Sequence, residues 1–167
     1  MGLRIRLRPQ ERIVINGCVV TNGDRRNTIT VSSFGQVLRG KDIIQPQDAV
    51  TPLQKLYFAI QMMLINSNTD IDAEKDALRH VNRLGAVAFV SLTTDEDRAR
   101  LLTAMEKTHQ GDYYKALAEL RPITGDDKEK PNTNAFPVDL SEADQRFRDA
   151  AKEHFRRLDQ EQQACSQ

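Results

Sequence analysis

Tryptophan is missing from this chain, cysteine occurs twice and histidine three times. Each shortage closes off a class of function. Cys18 and Cys165 stand 147 positions apart, the first in an expected strand and the second in the tail. They make no disulfide framework and suit a reducing cytosol. With no CxxC and no His/Cys cluster, a structural zinc site has no ligands to draw on. His80, His109 and His154 each fall in a helical pattern without a partner at metal-ligand spacing. GxSxG, HExxH, P-loop and GxGxxG motifs are all absent. Acid pairs such as Asp70/Asp72 and Asp126/Asp127 read as a helix cap and a solvated linker. The expectation is a protein that is not an enzyme and needs no cofactor or metal. Long apolar runs are lacking too. The most apolar stretch, Leu53 to Ile65, is interrupted by Gln54, Lys55 and Gln61, so no membrane span is expected. The basic N-terminus has no apolar core behind it and is no signal peptide. Together these point to the cytoplasm.

What the chain does have is charge, unevenly placed. The 167 residues hold 24 basic and 24 acidic side chains, and the zero sum conceals an asymmetry. Residues 1–41 carry Arg4, Arg6, Arg8, Arg12, Arg25, Arg26, Arg39 and Lys41 against only Glu11 and Asp24, a net of +6. The remainder is therefore −6. One end of the chain is built to meet a polyanion, or to meet the other end.

The periodicity changes along the chain as well. Leu3 to Arg8 alternates strictly, apolar residues on one face and arginines on the other, until Pro9 ends the strand. Arg12–Ile15 and Cys18–Thr21 flank Asn16-Gly17, a two-residue hairpin signal. Asn22-Gly23 opens a longer turn, Thr28 to Ser32 is the next strand and Gln36 to Arg39 a short last one. From Thr51-Pro52, an N-cap followed by proline at the first helical position, the period becomes helical. Leu53, Leu56, Tyr57, Ile60, Met63 and Leu64 line the first helix. Further helices are expected from about 71 to 92, after a Thr94 cap, and from about 112 to 120, the last ending before Pro122. TGDDKEKPNTNAFP (124–137) reads as a linker. A charged final helix follows, with the stripe Phe147, Ala151, Phe155 and Leu158. The fold class is α+β. It comprises a small antiparallel β-meander or half-barrel (1–46), a helical bundle on which it packs (47–123), a linker (124–138) and a C-terminal helix and tail (139–167).

The basic β module holds the candidate site. Arginines on alternate positions of a strand stand about 6.6 Å apart and can track a phosphate backbone. Arginine outnumbers lysine there by seven to one, and the guanidinium both grips phosphate bidentately and stacks on unpaired bases. The candidate RNA-binding residues are Arg4, Arg6, Arg8, Arg12, Arg25, Arg26, Arg39 and Lys41. Two plainer readings fit the same charges: cations that guard a strand edge against aggregation, or internal pairing with the acidic helices. Only Phe34 in the module could stack on a base, which argues against an aromatic platform. Candidate partner-binding residues are Tyr57 and Phe58 on the first long helix, with core packing as the alternative, and Phe147 and Phe155 on the last.

The order and spacing of Leu7-Arg8-Pro9-Gln10-Glu11-Arg12, Ile15-Asn16-Gly17, Asn22-Gly23-Asp24-Arg25-Arg26, Val37-Leu38-Arg39 through Asp42-Ile43, and Thr51-Pro52 with Tyr57-Phe58 and Gln61 resemble the FlbT family of flagellar proteins. The resemblance covers residues 3 to 120. It implies a post-transcriptional regulator of flagellum biogenesis that associates with the 5′ untranslated region of flagellin mRNA, represses its translation or promotes its decay, and works alongside the small protein FlaF. It brings no set of RNA-contacting residues, so the arginine assignment rests on charge and geometry alone. A merely thematic analogy with the CsrA type of repressor, an intertwined dimer, leaves a homodimer through the meander's open edges to be tested. The rival expectation is a protein–protein adaptor that never touches RNA.

Overall fold

A computed structural model describes residues 2–66 and 71–124 of the chain; the expected linker beyond Thr124 and the expected last helix, with Phe147 and Phe155, lie outside the described residues. Five strands come first: β1 (Leu3–Leu7), β2 (Arg12–Ile15), β3 (Cys18–Thr21), β4 (Asn27–Val31) and β5 (Val37–Leu38). Four helices follow: α1 (Pro52–Ile65), α2 (Ile71–Ser91), α3 (Asp95–His109) and α4 (Tyr113–Thr124). The class is α+β, a small antiparallel β module on a helical bundle.

The strands pair as two small antiparallel sheets, one of β1 with β4 and one ordered β3-β2-β5. The β2–β3 hairpin turns on Asn16 (φ 49°) and Gly17 (φ 84°), the two positive dihedrals that a two-residue turn of this hand requires. Registers place Leu3 opposite Val31, Ile5 opposite Ile29 and Leu7 opposite Asn27. Because side chains alternate, the inner face of the first sheet is apolar while Arg4 opposite Thr30 and Arg6 opposite Thr28 face outward.

Strand β2 lies between two cores. Ile13 joins Ile5 and Leu7 in a small cluster, with Ile15, Val20, Ile29, Val31 and Val37 against it. Val14, pointing the other way, joins Leu38 and the helices in the main core, alongside Leu56, Tyr57, Ile60, Leu101 and Leu117. Both Ile13 and Val14 are fully buried, so the chain stacks sheet on sheet on helices. α1 packs against α2 and α4, and α3 against α4.

Local chemistry explains the helix boundaries. Thr51 accepts a bond from the Gln54 amide at 3.1 Å and Gln54 Oε1 accepts one from the Thr51 amide at 3.0 Å, a complete capping box with Pro52 behind it. Thr94 caps α3 through the Asp97 amide at 3.1 Å. The expectation that the fourth helix ends before Pro122 is corrected: α4 runs on to Thr124 with the proline inside it. Pro122 forfeits one backbone donor. Leu120 is fully buried and Ile123 packs on the main core, and that burial keeps the last turn helical.

Polar side chains on α1 and α4 join the module to the bundle, among them Tyr114, whose hydroxyl donates to the Val37 carbonyl at 3.3 Å. Gln61, 2% exposed, accepts from the Ile44 amide and donates to the Ile44 carbonyl, both at 2.9 Å. Its carboxamide acts as one rung of a ladder for a segment that has no strand partner. The Tyr57 hydroxyl donates to the Asp42 carbonyl at 2.7 Å, and burial pushes its pKa up.

Candidate nucleic-acid interface

The site starts at the end of β1. Pro9 has a fixed φ that suits the first corner of a turn, and Gln10 takes the second with φ 60°. The Glu11 amide then donates to the Arg8 carbonyl at 3.1 Å. Glu11 closes the turn from the other side, its Oε2 accepting from the Arg8 amide at 2.7 Å. Glu11 Oε1 lies 3.4 Å from Arg39 Nη2, and Arg39 also donates to the Arg6 carbonyl at 2.9 Å. The bond from the Arg8 amide, with the Arg39 and Arg8 charges beside it, holds the Glu11 carboxyl below its ordinary value near 4.5 against the opposing effect of burial.

A second turn is fastened to the first by Asn22. Its carboxamide donates to the Arg8 carbonyl at 2.6 Å and to the Arg25 carbonyl at 2.8 Å, and accepts from Asn27 Nδ2 at 2.8 Å. Its own amide donates to the Glu11 carbonyl at 2.9 Å, and the Gln10 amide to the Gly23 carbonyl at 3.0 Å. Asn22 is 7% exposed. One buried side chain thus sets the Arg8 turn beside the Arg25-Arg26 turn.

Between these turns is a cleft of about 410 Å³ lined by Arg6, Leu7, Arg8, Glu11, Arg26, Asn27, Thr28 and Arg39. Four guanidiniums against one carboxylate make it strongly positive. Arg4 adjoins it two residues along β1, on the face it shares with Arg6, Thr28 and Thr30. All eight candidate cations are exposed. Among the described residues only Arg39 of the eight has a carboxylate oxygen within 4 Å; the other described ion pairs, all among residues 42–121, use other cations.

The structure therefore gathers Arg6, Arg8, Arg26 and Arg39, with Arg4 alongside, and leaves Arg12, Arg25 and Lys41 outside the cleft. Arg8 stands one residue past β1 and belongs to the turn, so the strand ridge itself has two arginines. Phe34 is 92% exposed on the β4–β5 loop, away from the cleft lining. Tyr57, a candidate for partner binding, is 1% exposed and offers no surface; its ring fills the core while its hydroxyl holds Asp42. Phe58 is half-buried and lines a groove between α1 and α2. Sequence reasoning missed Asn22, which it read only as a turn former, and Glu11, which it counted only as a charge. The acid-amide pairing of Glu11 with a turn two residues after Leu7 was a readable signal; the reach of Asn22 across 14 residues was not.

This geometry suits one kind of chemistry. Guanidiniums in an open, positive cleft grip phosphate oxygens through paired N–H donors, and the flanking threonine face of β4 can accept or donate to a sugar. Nothing in the cleft forms a nucleophile–base pair of the kind group transfer uses.

Comparisons with known proteins place the chain in a family. The chain resembles the flagellum biosynthesis repressor FlbT of Caulobacter vibrioides, with 35% identity over 124 residues, 74% of this chain and 84% of that protein. A probable repressor of the same name from Rhodopseudomonas palustris is 36% identical over 123 residues, 74% of this chain and 92% of the relative. One from Mesorhizobium japonicum is 34% identical over 122 residues, 72% and 79% of the two chains. No solved structure matches. The family model described as flagellar protein FlbT matches residues 3–129, a span that takes in both sheets, the arginine cleft and all four helices: the chain belongs to the FlbT family.

Proposed function

We propose that this protein is a repressor of flagellum biosynthesis that acts after transcription, by binding the 5′ untranslated region of flagellin mRNA through the arginine cleft and the Arg4/Arg6 face of β1. The names of its relatives support the regulatory half of this reading. The observation that carries the RNA half is the convergence of Arg6, Arg8, Arg26 and Arg39 on one open cleft with a single acid. Internal neutralisation, the plainer alternative, predicts carboxylates against these arginines, and among the described residues only Arg39 has one. The mechanism is steric: RNA held along the module blocks ribosome access or leaves the message open to nucleases. The work is done in the cytoplasm, where the leader is, alongside a FlaF-like regulator. No helix among the described residues is long and apolar enough to cross a membrane.

The test is binding of the purified protein to its flagellin leader across a salt series, beside a variant with Arg6, Arg8 and Arg26 changed to Ala. Loss of three phosphate contacts flattens the plot of log K against log salt by about 2 to 3 units and weakens binding at low salt. Equal binding by both proteins sinks the cleft assignment. Should neither bind the leader while the wild type still captures a flagellar protein, the adaptor reading replaces it.

A further inference from the structure

A second concavity lies on the bundle. It is a groove of about 570 Å³ between α1 and α2, and its floor and walls include Phe58, Ala59, Met62, Ala77, Val81 and Leu84. Lys55 and Asn66 mark its two ends along α1, with Glu74 and His80 on the α2 side. Of the six apolar residues only Val81 is buried; the other five are half-buried. The alanines keep the trough open, and the Phe and Met side chains are of the adaptable kind that receives an amphipathic helix.

We propose that this groove is the seat of the chain's own C-terminal segment, residues 141–158. Three observations favour that occupant. In the sequence, Phe147, Ala151, Phe155 and Leu158 recur at steps of four, four and three, the spacing of a single helical stripe. As a helix that stripe rises about 16 Å, and the groove wall from Lys55 to Asn66 on α1 covers the same number of residues and the same length. The tether also fits. α4 ends three residues after Arg121, whose guanidinium lies against Asp42, itself held by Tyr57 near the start of α1. Sixteen residues separate Thr124 from Ser141, a reach of up to about 50 Å, more than twice the length of α1. A tether of that size sets an effective concentration in the millimolar range, so a weak intrinsic affinity suffices for occupancy.

The experiment uses the full chain with a benzoylphenylalanine photo-crosslinker in place of Phe58, irradiated at low micromolar concentration and mapped by mass spectrometry. The expected product is an intrachain link to a peptide within 141–158. Amide exchange provides an arm that needs no probe: changing Phe147 and Phe155 together to Asp should speed exchange in residues 58–66 and 73–84 by about tenfold or more. The surface change Gln145→Asp should leave it alone. Links that run only to a second copy, links confined to other parts of the bundle, or exchange that ignores the double change each overturn the proposal. None of these readouts involves RNA, so this proposal and the RNA reading fail separately.

Discussion

Changing Asn22 to Ala should loosen the arginine cleft without touching an arginine. The magnitude follows from its three side-chain bonds, 2.6 Å to the Arg8 carbonyl, 2.8 Å to the Arg25 carbonyl and 2.8 Å from Asn27. A hydrogen bond of this kind contributes about 1 kcal/mol net, and a buried group left unpaired costs more. Arg8, Arg25 and Asn27 are themselves exposed, so water can replace part of the loss, and a total of about 2–3 kcal/mol is expected. Asn22→Asp should cost at least as much, because a carboxylate cannot donate to either carbonyl. All three tyrosines lie in the helices and there is no tryptophan, so intrinsic fluorescence watches the wrong part of the molecule. Amide exchange at Gln10 and Asn22 is the better assay, since these N–H groups bridge the two turns at 3.0 and 2.9 Å. An opening cheaper by 2–3 kcal/mol speeds their exchange about 30- to 150-fold. Leader affinity should fall with it. If exchange at both amides stays within about threefold of wild type, Asn22 does not hold the turns together and the argument is refuted.

Gln61→Leu keeps the volume but strips the Ile44 amide and carbonyl of their partners, so it should cost about 2–4 kcal/mol, read as a lower urea midpoint with an unchanged slope. Thr51→Ala removes half of the capping box and should cost about 1 kcal/mol, whereas Thr51→Ser should restore most of it; equal midpoints for all three proteins would discount the cap. Glu11 supplies a pH dependence. Its folded pKa is depressed, so the unfolded chain takes up the proton first. The stabilisation is complete above the ordinary value near 4.5 and is lost as pH falls through the lower folded value. The gap in stability between wild type and Glu11→Gln should therefore be widest near neutral pH and close on acidification. A gap that holds constant between pH 7 and pH 3 contradicts the assignment.

Much of the fold was legible because alternation and turn chemistry are local. Leu3-Arg4-Ile5-Arg6-Leu7 announces a strand with one wet face, and Asn16-Gly17 announces a hairpin. The pairing of β1 with β4 and of β2 with β5 was not readable, since alternation says which way a side chain points but not what lies opposite. Ile13-Val14 shows the limit well. A strand covered on both faces gives a short continuous apolar run, and only the structure separates the residue that meets Ile5 and Leu7 from the one that meets the helices. Pro122 misled because its local penalty is visible in sequence while the burial of Leu120 and Ile123 is not. At the site, composition revealed a basic module but not which cations meet. Arg6, Arg8, Arg26 and Arg39 come from three separate segments, and the Asn22 contacts that align two of those segments span turns. Gln61, which in sequence merely interrupts an apolar stretch, is one of the most buried polar residues described.

The cleft's frame is made almost wholly of main chain: Asn22 grips carbonyls, Glu11 grips an amide, and Arg39 alone uses its guanidinium as a strut. Evolution can therefore exchange Arg8, Arg25 or Arg26 for other side chains with little disturbance of the turns that display them. On the proposed RNA reading, a lineage whose flagellin leader drifts in sequence has a surface it can rewrite one residue at a time, on loops whose shape does not depend on what they display.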